Sequence, residues 1–485
     1  MAEESLKRKT ISSLVWTATQ RFGILFLGFA SNLILVRFLT PEDYGVVGMI
    51  SIFISLSETF INSGLGAALI QKKEPTELDF STVFWSNLTI SIFFYVLLFF
   101  CAPLISNFYG MEILTPILRI KGTILIIQGF RIIQTTRLQK NLDFKKISIV
   151  YLISTFSATI ISIVCAFLGL GLWSLVIKSM AETFLRTVLL WLVGNWRPIL
   201  QFSMSSFKEL FSYGGVMLST SIVITLYSNL IPLIIGKAFS ATELGYYTQA
   251  AKLEEVPTKA FEQITNQVTF PVFSKIKDET EKIRKGFRKI ITNISYITFP
   301  LMVFFVVAAT PIFNFLFTEK WAPSIPYFRF LCIVGMMVSV NTINTNLVKA
   351  SGRKKTYFSL QVIKRIIGAI ILVFSVYFEM VGLLIARIII EYIFFFINAR
   401  TTAKIIEHST WSQIKDFAPN YILAFAVGVA TYFIFKNINL SNILMILLQG
   451  LAYFGLYFTV SGLLKFKAFT SYKEILFSKV KKDKK

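Results

Sequence analysis

Four charged residues form a regular row in the middle of the chain. At successive spacings of three, four and three residues stand Lys252, Glu255, Lys259 and Glu262. On a helix this spacing places the row on one face. The segment is predicted to cross a membrane, and because a row of charges does not face lipid, it faces a partner helix or a water-filled cavity. We predict that Lys252 and Lys259 are substrate-binding residues if the row lines a cavity, while Glu255 and Glu262 act as counter-charges or ion-coupling groups.

Two further charges lie inside apolar stretches near the N-terminus. Arg21 falls in the inward third of the first predicted span, and Glu58 falls in the middle of the second. A charge at the bilayer centre costs about 2.5–3.5 kcal/mol on insertion scales, so such a residue usually faces the protein interior, pairs with another charge, or snorkels. We predict that Arg21 is a third substrate-binding cation and that Glu58 is a counter-charge or ion-coupling group.

The other charges within apolar stretches have simpler interpretations. Glu182 lies four residues after Lys178 and four before Arg186, and Glu391 lies four after Arg387. Opposite charges at this spacing neutralise each other on a helix surface, so both sets are predicted to be structural pairs. The cations of the fourth predicted span have no acidic neighbour in the sequence: Arg119, Lys121 and Arg131. Snorkelling to the membrane surface is the favoured interpretation for Arg131, Lys364 and Arg365.

Motifs for enzymatic chemistry are absent from the sequence. There is no Asp-x-Asp metal pair, no glycine-rich phosphate loop, and no Cys/His or Ser/His constellation in the predicted outward loops. The lone His408 argues against a zinc site. The three cysteines lie singly in apolar stretches, at Cys101, Cys165 and Cys332. We therefore expect no enzyme activity, no metal site and no cofactor.

The composition excludes a water-soluble protein. The chain has 485 residues, of which 55% are hydrophobic and only 15% charged, where soluble domains carry about 25% charged residues. The mean hydropathy is +0.66. The formal net charge of +23 would suggest nucleic-acid binding in a soluble protein, but in a membrane protein Lys and Arg report orientation instead. No nucleic-acid partner is expected.

Windows of about 20 mainly apolar residues predict an all-α membrane protein with fourteen transmembrane helices. The apolar runs are continuous and do not alternate, which favours helices over a β-barrel. The first run is too long for a cleavable signal peptide, so we predict a retained span. The predicted spans are 11–36, 44–66, 81–104, 114–135, 148–168, 172–193, 211–236, 245–270, 290–310, 325–348, 358–378, 381–400, 418–435 and 442–464.

The basic residues are distributed unevenly between the two sides of this topology. Most of the 49 Lys and Arg residues fall in the N-terminal segment, the C-terminal tail and the alternate connections. The opposite connections carry only Arg37, Lys237, Lys320 and Lys436. By the positive-inside rule both termini are predicted to be cytoplasmic. The basic and aromatic segments 194–210 and 465–485 are predicted to form helices on the inner membrane surface, where they contact anionic lipids.

A nine-residue motif occurs twice at equivalent positions. The chain reads Arg37-Phe-Leu-Thr-Pro-Glu-Asp-Tyr-Gly45 and later Lys237-Ala-Phe-Ser-Ala-Thr-Glu-Leu-Gly245. Each copy opens the second span of a block of six, with Thr40 and Ser240 as predicted N-caps. Blocks with an even number of spans run the same way, so we predict two six-helix lobes related by a pseudo-twofold axis along the membrane normal, with the cargo site between them. The predicted domains are an N-lobe (1–195), a cytoplasmic linker (196–210), a C-lobe (211–400), and two C-terminal helices with a basic cytoplasmic tail (401–485).

These same residues carry a resemblance to a known family. The opening Leu6-Lys-Arg-Lys-Thr-Ile-Ser-Ser-Leu-Val-Trp16, the first turn motif, and Phe239-Ser-Ala-Thr-Glu-Leu-Gly-Tyr-Tyr-Thr-Gln249 are similar to the polysaccharide-export branch of the MOP (multidrug/oligosaccharidyl-lipid/polysaccharide) superfamily. Within that branch the chain resembles the Wzx/WzxC-type oligosaccharide flippases. The turn motifs are specific to this branch but carry no information about the sugar.

The resemblance implies a V-shaped, two-lobe carrier in the bacterial cytoplasmic (inner) membrane. Such a carrier moves undecaprenyl-diphosphate-linked oligosaccharide from the inner to the outer leaflet by alternating access, for lipopolysaccharide, capsule or exopolysaccharide assembly. The first two spans of each lobe line its central cavity, which agrees with the predicted site residues. The implied partners are lipid-linked oligosaccharide and the polysaccharide polymerase and chain-length machinery, and the coupling ion, H⁺ or Na⁺, stays open. The alternative is a MATE-like ion-coupled multidrug or metabolite antiporter of the same superfamily.

Overall fold

The computed structural model describes residues 2–62, 64–276 and 279–482, and within these ranges the chain is helical without a β-strand. This confirms the all-α class. The last residues of the predicted tail, 483–485, lie outside the described ranges. The α-helices are α1 (Ala2–Phe38), α2 (Pro41–Asn62), α3 (Leu65–Gln71), α4 (Glu77–Tyr109), α5 (Leu114–Lys140), α6 (Phe144–Phe167), α7 (Trp173–Val193), α8 (Met204–Ser228), α9 (Leu230–Ala238), α10 (Ala241–Lys275), α11 (Thr280–Val307), α12 (Ala309–Leu316), α13 (Ser324–Ala350), α14 (Lys354–Ser375), α15 (Glu379–Ile406), α16 (Thr410–Phe435), α17 (Asn442–Leu463) and α18 (Lys467–Lys482).

Within the described residues every predicted span overlaps one helix or two consecutive helices, but not every such helix is apolar throughout. Among the described residues, ten stretches are long and apolar enough to cross a membrane, and one of them, Lys355–Ile406, contains both α14 and α15. Helices α5, α7 and α10 are not among the ten, and they are the helices that carry most of the charges discussed above. The chain is a multi-pass membrane protein, while the count of fourteen spans stays a prediction.

The chain divides by internal contacts into two compact units, Met1–Gly245 and Tyr246–Lys485. In the first unit α1 packs on α6, α4 on α5, α6 on α7, and α8 on α2 and α3. In the second unit α11 packs on α13 and α16, α13 on α15, and α17 on α12 and α16. This division by contacts does not test the predicted lobe boundaries at residues 195 and 211, which stay a prediction.

The linker that precedes α8 is extended along α4. Residues 194–203 contain no helix, so the predicted surface helix is wrong for this segment, whereas the tail does form a helix, α18. Side chains of α4 bind the linker backbone: Ser81 Oγ accepts from Ile199 N at 3.1 Å, and Trp85 Nε1 donates to Ile199 O at 2.9 Å. Pro198 also disfavours a helical conformation at the residue before it.

The two copies of the turn motif pack against each other within the first unit. Thr40 Oγ1 accepts from Asp43 N at 3.2 Å, and Ser240 Oγ accepts from Glu243 N at 3.0 Å, so both predicted N-caps are confirmed. A Cβ on Gly45 would overlap the Ala241 carbonyl oxygen, and a Cβ on Gly245 would overlap the Pro41 carbonyl oxygen. The reciprocal contact explains why each copy ends in glycine: only a residue without a side chain permits this backbone approach.

Candidate functional site

The charged row of α10 lies on the exposed side of that helix. Lys252, Glu255 and Lys259 are exposed and Glu262 is half-buried, whereas the opposite side of α10 is buried. Lys259 Nζ lies 2.6 Å from Glu255 Oε2, with 62% and 50% of the two side chains exposed. The predicted face therefore exists and contains one ion pair. What these residues bind stays a prediction.

The two predicted site residues of the first unit differ in their surroundings. Arg21 is exposed on α1, and the described residues place no carboxylate within ion-pair distance of it. Glu58 is half-buried on α2, and its Oε1 accepts a hydrogen bond from Gln128 Nε2 of α5 at 2.6 Å. The structure does not bring Arg21 and Glu58 together by any described contact. Their roles in substrate binding and ion coupling stay predictions.

Glu58 is part of a larger set of charges that we call the first-unit cluster. It comprises Glu58, Lys121, Arg131, Lys178, Glu182 and Arg186, which lie on α2, α5 and α7. Lys121 is buried, with 8% of its surface exposed, and lies within electrostatic range of Glu58. Arg131 is within electrostatic range of Glu58, Glu182 and Arg186, so it does not stand alone at the membrane surface.

The α7 part of the cluster is held by neighbouring helices. Glu182 pairs with Arg186 as predicted, and Thr155 Oγ1 of α6 donates to Glu182 Oε1 at 2.9 Å. The Arg186 guanidinium lies 4.1 Å from the centre of the Tyr151 ring. Lys178 does not complete the predicted triad by an ion pair: its Nζ donates to Ser31 Oγ of α1 at 2.5 Å. The i, i+4 spacing thus predicted the Glu182–Arg186 pair but not the contact of Lys178 with Ser31 on another helix.

The charges of the first-unit cluster do not balance. It contains four cations and only two carboxylates among the described residues. Buried charge of one sign is costly unless it is paired, so the excess makes the first-unit cluster a candidate anion-binding site. Lys121, the most deeply buried of the four cations, is a residue that sequence reasoning missed. Its signal was present in the sequence as a basic residue in an apolar run without an acidic neighbour.

The second unit contains a corresponding but balanced group, which we call the second-unit cluster. Its members are Glu254, Lys364, Arg387 and Glu391, on α10, α14 and α15, and further charges of both signs lie within electrostatic range of them: Glu255, Glu262 and Arg365. Glu391 lies within electrostatic range of Arg387 and Lys364, and the Arg387 Nη1 to Glu391 Oε1 distance is 4.0 Å. Lys364 is only 6% exposed, so the snorkelling interpretation is wrong for it. Its Nζ lies 5.6 Å from the centre of the Phe394 ring instead.

Glu254 lies on α10 and belongs to the second-unit cluster, but it is not part of the charged row of that helix. It lies on the buried side of α10, where Thr258 Oγ1 donates to its Oε1. A Cβ on Gly335 of α13 would overlap that same carboxylate, so the glycine makes room for it. The sequence contained the signal, since Glu254 and Thr258 are four residues apart and lie off the predicted face.

A line of amides and hydroxyls continues from Glu391 between α13, α15 and α16. Asn341 Nδ2 donates to Glu391 Oε2 at 3.0 Å, and Asn398 Nδ2 donates to Asn341 Oδ1 at 3.0 Å. One turn further, Thr402 Oγ1 donates to Asn344 Oδ1 at 2.6 Å and accepts from Gln413 Nε2 at 3.1 Å. These bonds satisfy polar groups that would otherwise be costly inside a membrane helix bundle.

In the part of the chain that the structure describes, no group of three or more His, Cys, Asp or Glu side chains is arranged to hold a metal ion. A helical multi-pass architecture with ionic clusters inside the helix bundle is typical of membrane transporters.

The chain belongs to the polysaccharide biosynthesis protein family, whose model matches residues 34–326. It is 29% identical over 370 residues to the lipopolysaccharide biosynthesis protein WzxC of Escherichia coli (strain K12), covering 74% of each chain. It is 27% identical over 356 residues to the teichuronic acid biosynthesis protein TuaB of Bacillus subtilis (strain 168), covering 73% of this chain and 74% of that protein. A third relative is the succinoglycan biosynthesis transport protein ExoT of Rhizobium meliloti (strain 1021), at 24% identity over 68% of this chain and 67% of that protein.

The fold is similar to solved structures of the MOP superfamily. The lipid II flippase MurJ in an inward closed conformation matches with a TM-score of 0.77 at 15% sequence identity, covering 96% of this chain and all of that one. An inward-facing multidrug resistance MATE family transporter of the MOP superfamily matches with a TM-score of 0.61 at 13% identity, covering 82% of this chain and 99% of that one. At these identities the similarity establishes the fold and nothing further.

Proposed function

We propose that this protein is a flippase that moves a polyprenyl-diphosphate-linked oligosaccharide from the inner to the outer leaflet of the bacterial cytoplasmic membrane. The observation that carries the proposal is the excess of cations in the first-unit cluster, in a chain of the polysaccharide biosynthesis family. The names of three relatives refer to lipopolysaccharide, teichuronic acid and succinoglycan, which are all polymers of sugars or sugar acids. The lipid carrier is proposed to be undecaprenyl diphosphate, and the role is transport rather than catalysis.

The chemistry of the cargo requires a basic, hydrated path. A diphosphate joined to a polar oligosaccharide cannot cross hydrocarbon unaided, because its charge and hydroxyls would lose their hydrogen bonds. Basic side chains replace water around the phosphate oxygens with charge-assisted hydrogen bonds. An inside-negative membrane potential favours outward movement of the anion by about 2.3 kcal/mol per charge per 100 mV. The polyprenyl chain stays in the lipid throughout.

The predicted site residues take the following roles in the proposal. Lys252 and Lys259 on α10 and Arg21 on α1 bind the diphosphate. Glu58, Glu255 and Glu262 serve as counter-charges or as ion-coupling groups. The exposed positions of Lys252, Glu255 and Lys259 on α10 support these assignments, because exposed charged side chains can reach a ligand or a neighbouring helix.

The orientation and surroundings follow from the distribution of charge. Both termini are proposed to be cytoplasmic by the positive-inside rule, with the basic tail in contact with anionic lipids of the inner leaflet. The polysaccharide polymerase and the chain-length machinery are the proposed protein partners, because they act on the product of flipping.

A complementation experiment tests the proposal. A strain that lacks this protein should accumulate lipid-linked oligosaccharide that is inaccessible from outside, and the plasmid-borne gene should restore surface glycan. The double variant Lys252→Ala/Lys259→Ala should restore less than a tenth of it. A double variant with the same loss of charge on another helix face, Lys282→Ala/Lys404→Ala, serves as the control and should complement fully. Normal surface glycan in the deletion strain, with no trapped intermediate, would refute the proposal.

The MATE-like antiporter remains the alternative, since the fold is shared by both classes. Accumulation of a cationic dye separates the two. A flippase for an anionic carrier gives equal dye retention in the deletion and complemented strains. Dye efflux that depends on this protein, without any change in surface glycan, would favour the antiporter.

A further inference from the structure

A basic cavity lies in the second unit, where α11, α16 and α18 meet, and the flipping proposal does not use it. Its volume is about 330 Å³. Charged and polar groups from all three helices line it: Lys285, Arg288, Lys289, Asn293, Asp416 and Lys467. Four of these six residues are cations and one is an acid, so the cavity carries positive charge.

The single carboxylate of this cavity is already occupied. Arg288 Nε lies 3.1 Å from Asp416 Oδ1, and His408 Nε2 lies 2.7 Å from Asp416 Oδ2. Among the described residues, no carboxylate lies within ion-pair distance of Lys289 or Lys467. These two ammonium groups are therefore available to an anion that enters the cavity.

The cavity lies at the level where its helices change from charged to apolar sequence. In α11 the last charged residue, Lys289, is followed by Ile290 and Ile291. In α16 Asp416 is followed by Phe417, and the apolar α17 ends shortly before Lys467 opens α18. A change of this kind in every wall marks the interface between membrane and water, which is the level of lipid phosphates.

Helix α18, which supplies one wall, is fixed against α11. Tyr472 Oη donates to the Asn293 carbonyl at 3.3 Å, and the Tyr472 ring stacks on Tyr296 with 6.1 Å between ring centres. Burial, together with the neighbouring Tyr296, raises the pKa of Tyr472, so its hydroxyl stays protonated and remains a donor. The cavity thus has three anchored walls and is a site with defined geometry.

We propose that this cavity binds the phosphodiester headgroup of an anionic phospholipid, with Lys289 and Lys467 as the principal phosphate-binding residues. The two ammonium groups neutralise the phosphate, and the acyl chains extend along the apolar parts of α11 and α17. A soluble phosphate has the same chemistry, but the position of the cavity at the membrane interface favours the lipid. The site would couple the basic tail to the bilayer and is independent of cargo flipping.

Thermal stability of the purified full-length protein in neutral detergent tests this site. Titration with phosphatidylglycerol should raise the melting temperature, while phosphatidylcholine and glycerol 3-phosphate at equal concentration should not. Because each basic residue near an anionic surface contributes about 1 kcal/mol, Lys289→Gln/Lys467→Gln should need roughly thirtyfold more phosphatidylglycerol for the same increase. Lys289→Arg/Lys467→Arg, which keeps both charges, should respond like the wild type.

The matched control is Lys282→Gln/Lys404→Gln, which removes the same charge from positions outside the cavity. Lys282 is 67% exposed and pairs with Glu279, and Lys404 is exposed on α15. This control should titrate like the wild type. If Lys289→Gln/Lys467→Gln did so as well, the cavity would not be the lipid site.

Two further outcomes would also overturn the proposal. An equal response to glycerol 3-phosphate would identify a soluble phosphate ligand, and an equal response to phosphatidylcholine would exclude recognition of charge. Should the double variant fail to fold, Lys467→Gln alone, at an exposed position on α18, should shift the titration about fivefold, and no shift would refute the site.

Discussion

The first-unit and second-unit clusters place charge inside a membrane helix bundle in two different ways. The first has four cations and two carboxylates, with Lys121 buried beside Glu58 and Arg186 paired with Glu182. The second has two cations and two carboxylates, and it continues into the line of amides that begins at Asn341. A group with equal numbers of positive and negative charges, joined by hydrogen bonds, needs no ligand to neutralise it. A group with an excess of cations is neutralised only when an anion binds. The comparison predicts that the first-unit cluster contributes to anion binding, alongside Lys252 and Lys259 on α10, and that the second-unit cluster has a structural role.

The largest expected effect is that of Arg186→Ala. This change removes a charged partner from Glu182 and a cation from the Tyr151 ring. We expect the free energy of unfolding to fall by about 2–3 kcal/mol, since a charged hydrogen bond is lost in a partly buried place. Surface glycan per molecule of folded protein should fall at least tenfold. Quantitative glycan blots normalised to membrane-inserted protein measure this.

Arg387→Ala in the second-unit cluster is the matched control. It removes an arginine from an equivalent i, i+4 pair with Glu391. We expect a loss of stability of similar size, but export per folded molecule should stay within about twofold of the wild type. Equal losses of export in Arg186→Ala and Arg387→Ala would break the distinction between the two clusters.

Asn341→Leu probes the structural role of the amide line. Asn341 donates to Glu391 and accepts from Asn398, so leucine removes one hydrogen bond from each of these two buried side chains. The free energy of unfolding should fall by about 2 kcal/mol, with export per folded molecule unchanged. Unfolding in mixed detergent micelles, followed by circular dichroism, measures the stability.

Thr342→Val, at the neighbouring position, separates this effect from a general response to substitution. The Thr342 hydroxyl donates only to the Val338 carbonyl of its own helix, at 2.9 Å, among the described contacts. Its loss should cost well under 1 kcal/mol. A greater loss of export than of stability in Asn341→Leu would assign the second-unit cluster and its amide line a part in cargo binding.

Glu58→Gln tests the charge of the first-unit cluster without removing its hydrogen bond. The amide oxygen of glutamine can still accept from Gln128, so stability should change by less than about 1 kcal/mol. Lys121 then loses a nearby negative charge, and we expect a several-fold change in export, measured as above. Glu42→Gln, an exposed change in the first turn of α2, is the control and should leave export unchanged.

The sequence was sufficient for local structure but not for contacts between helices. Periodicity and composition predicted the helices, and spacing predicted the N-caps at Thr40 and Ser240 and the pair Glu182–Arg186. Each of these depends on residues within one or two turns. The contact of Lys178 with Ser31 joins residues far apart in the chain, and no periodicity reports it.

The same limit explains why the surface helix predicted at residues 194–203 and the snorkelling predicted for Lys364 were wrong. The linker is extended because side chains of α4 bind its backbone, and Lys364 is buried because α15 covers it. For the predicted site residues, the spacing in the sequence correctly predicted that four charges lie on one face of α10. It could not say which neighbouring groups they face, since that depends on packing between helices.

The smallest expected effect concerns the turn motif, whose two copies are alike where the clusters differ. Thr40→Ala and Ser240→Ala each remove one hydrogen bond to a backbone N–H in the first turn of a helix, and Thr40→Ala also removes the exposed hydrogen bond from Thr40 Oγ1 to Asp43 Oδ2. We expect each to lower the free energy of unfolding by about 1 kcal/mol, and the two values to agree within about 0.5 kcal/mol. Thr40→Ser and Ser240→Thr, which keep the capping oxygen, should be nearly neutral. A loss of stability at one copy alone would mean that the two copies of the motif differ even in this shared hydrogen bond. The contrast between the two clusters would then be one instance of a general difference between repeated elements of the chain.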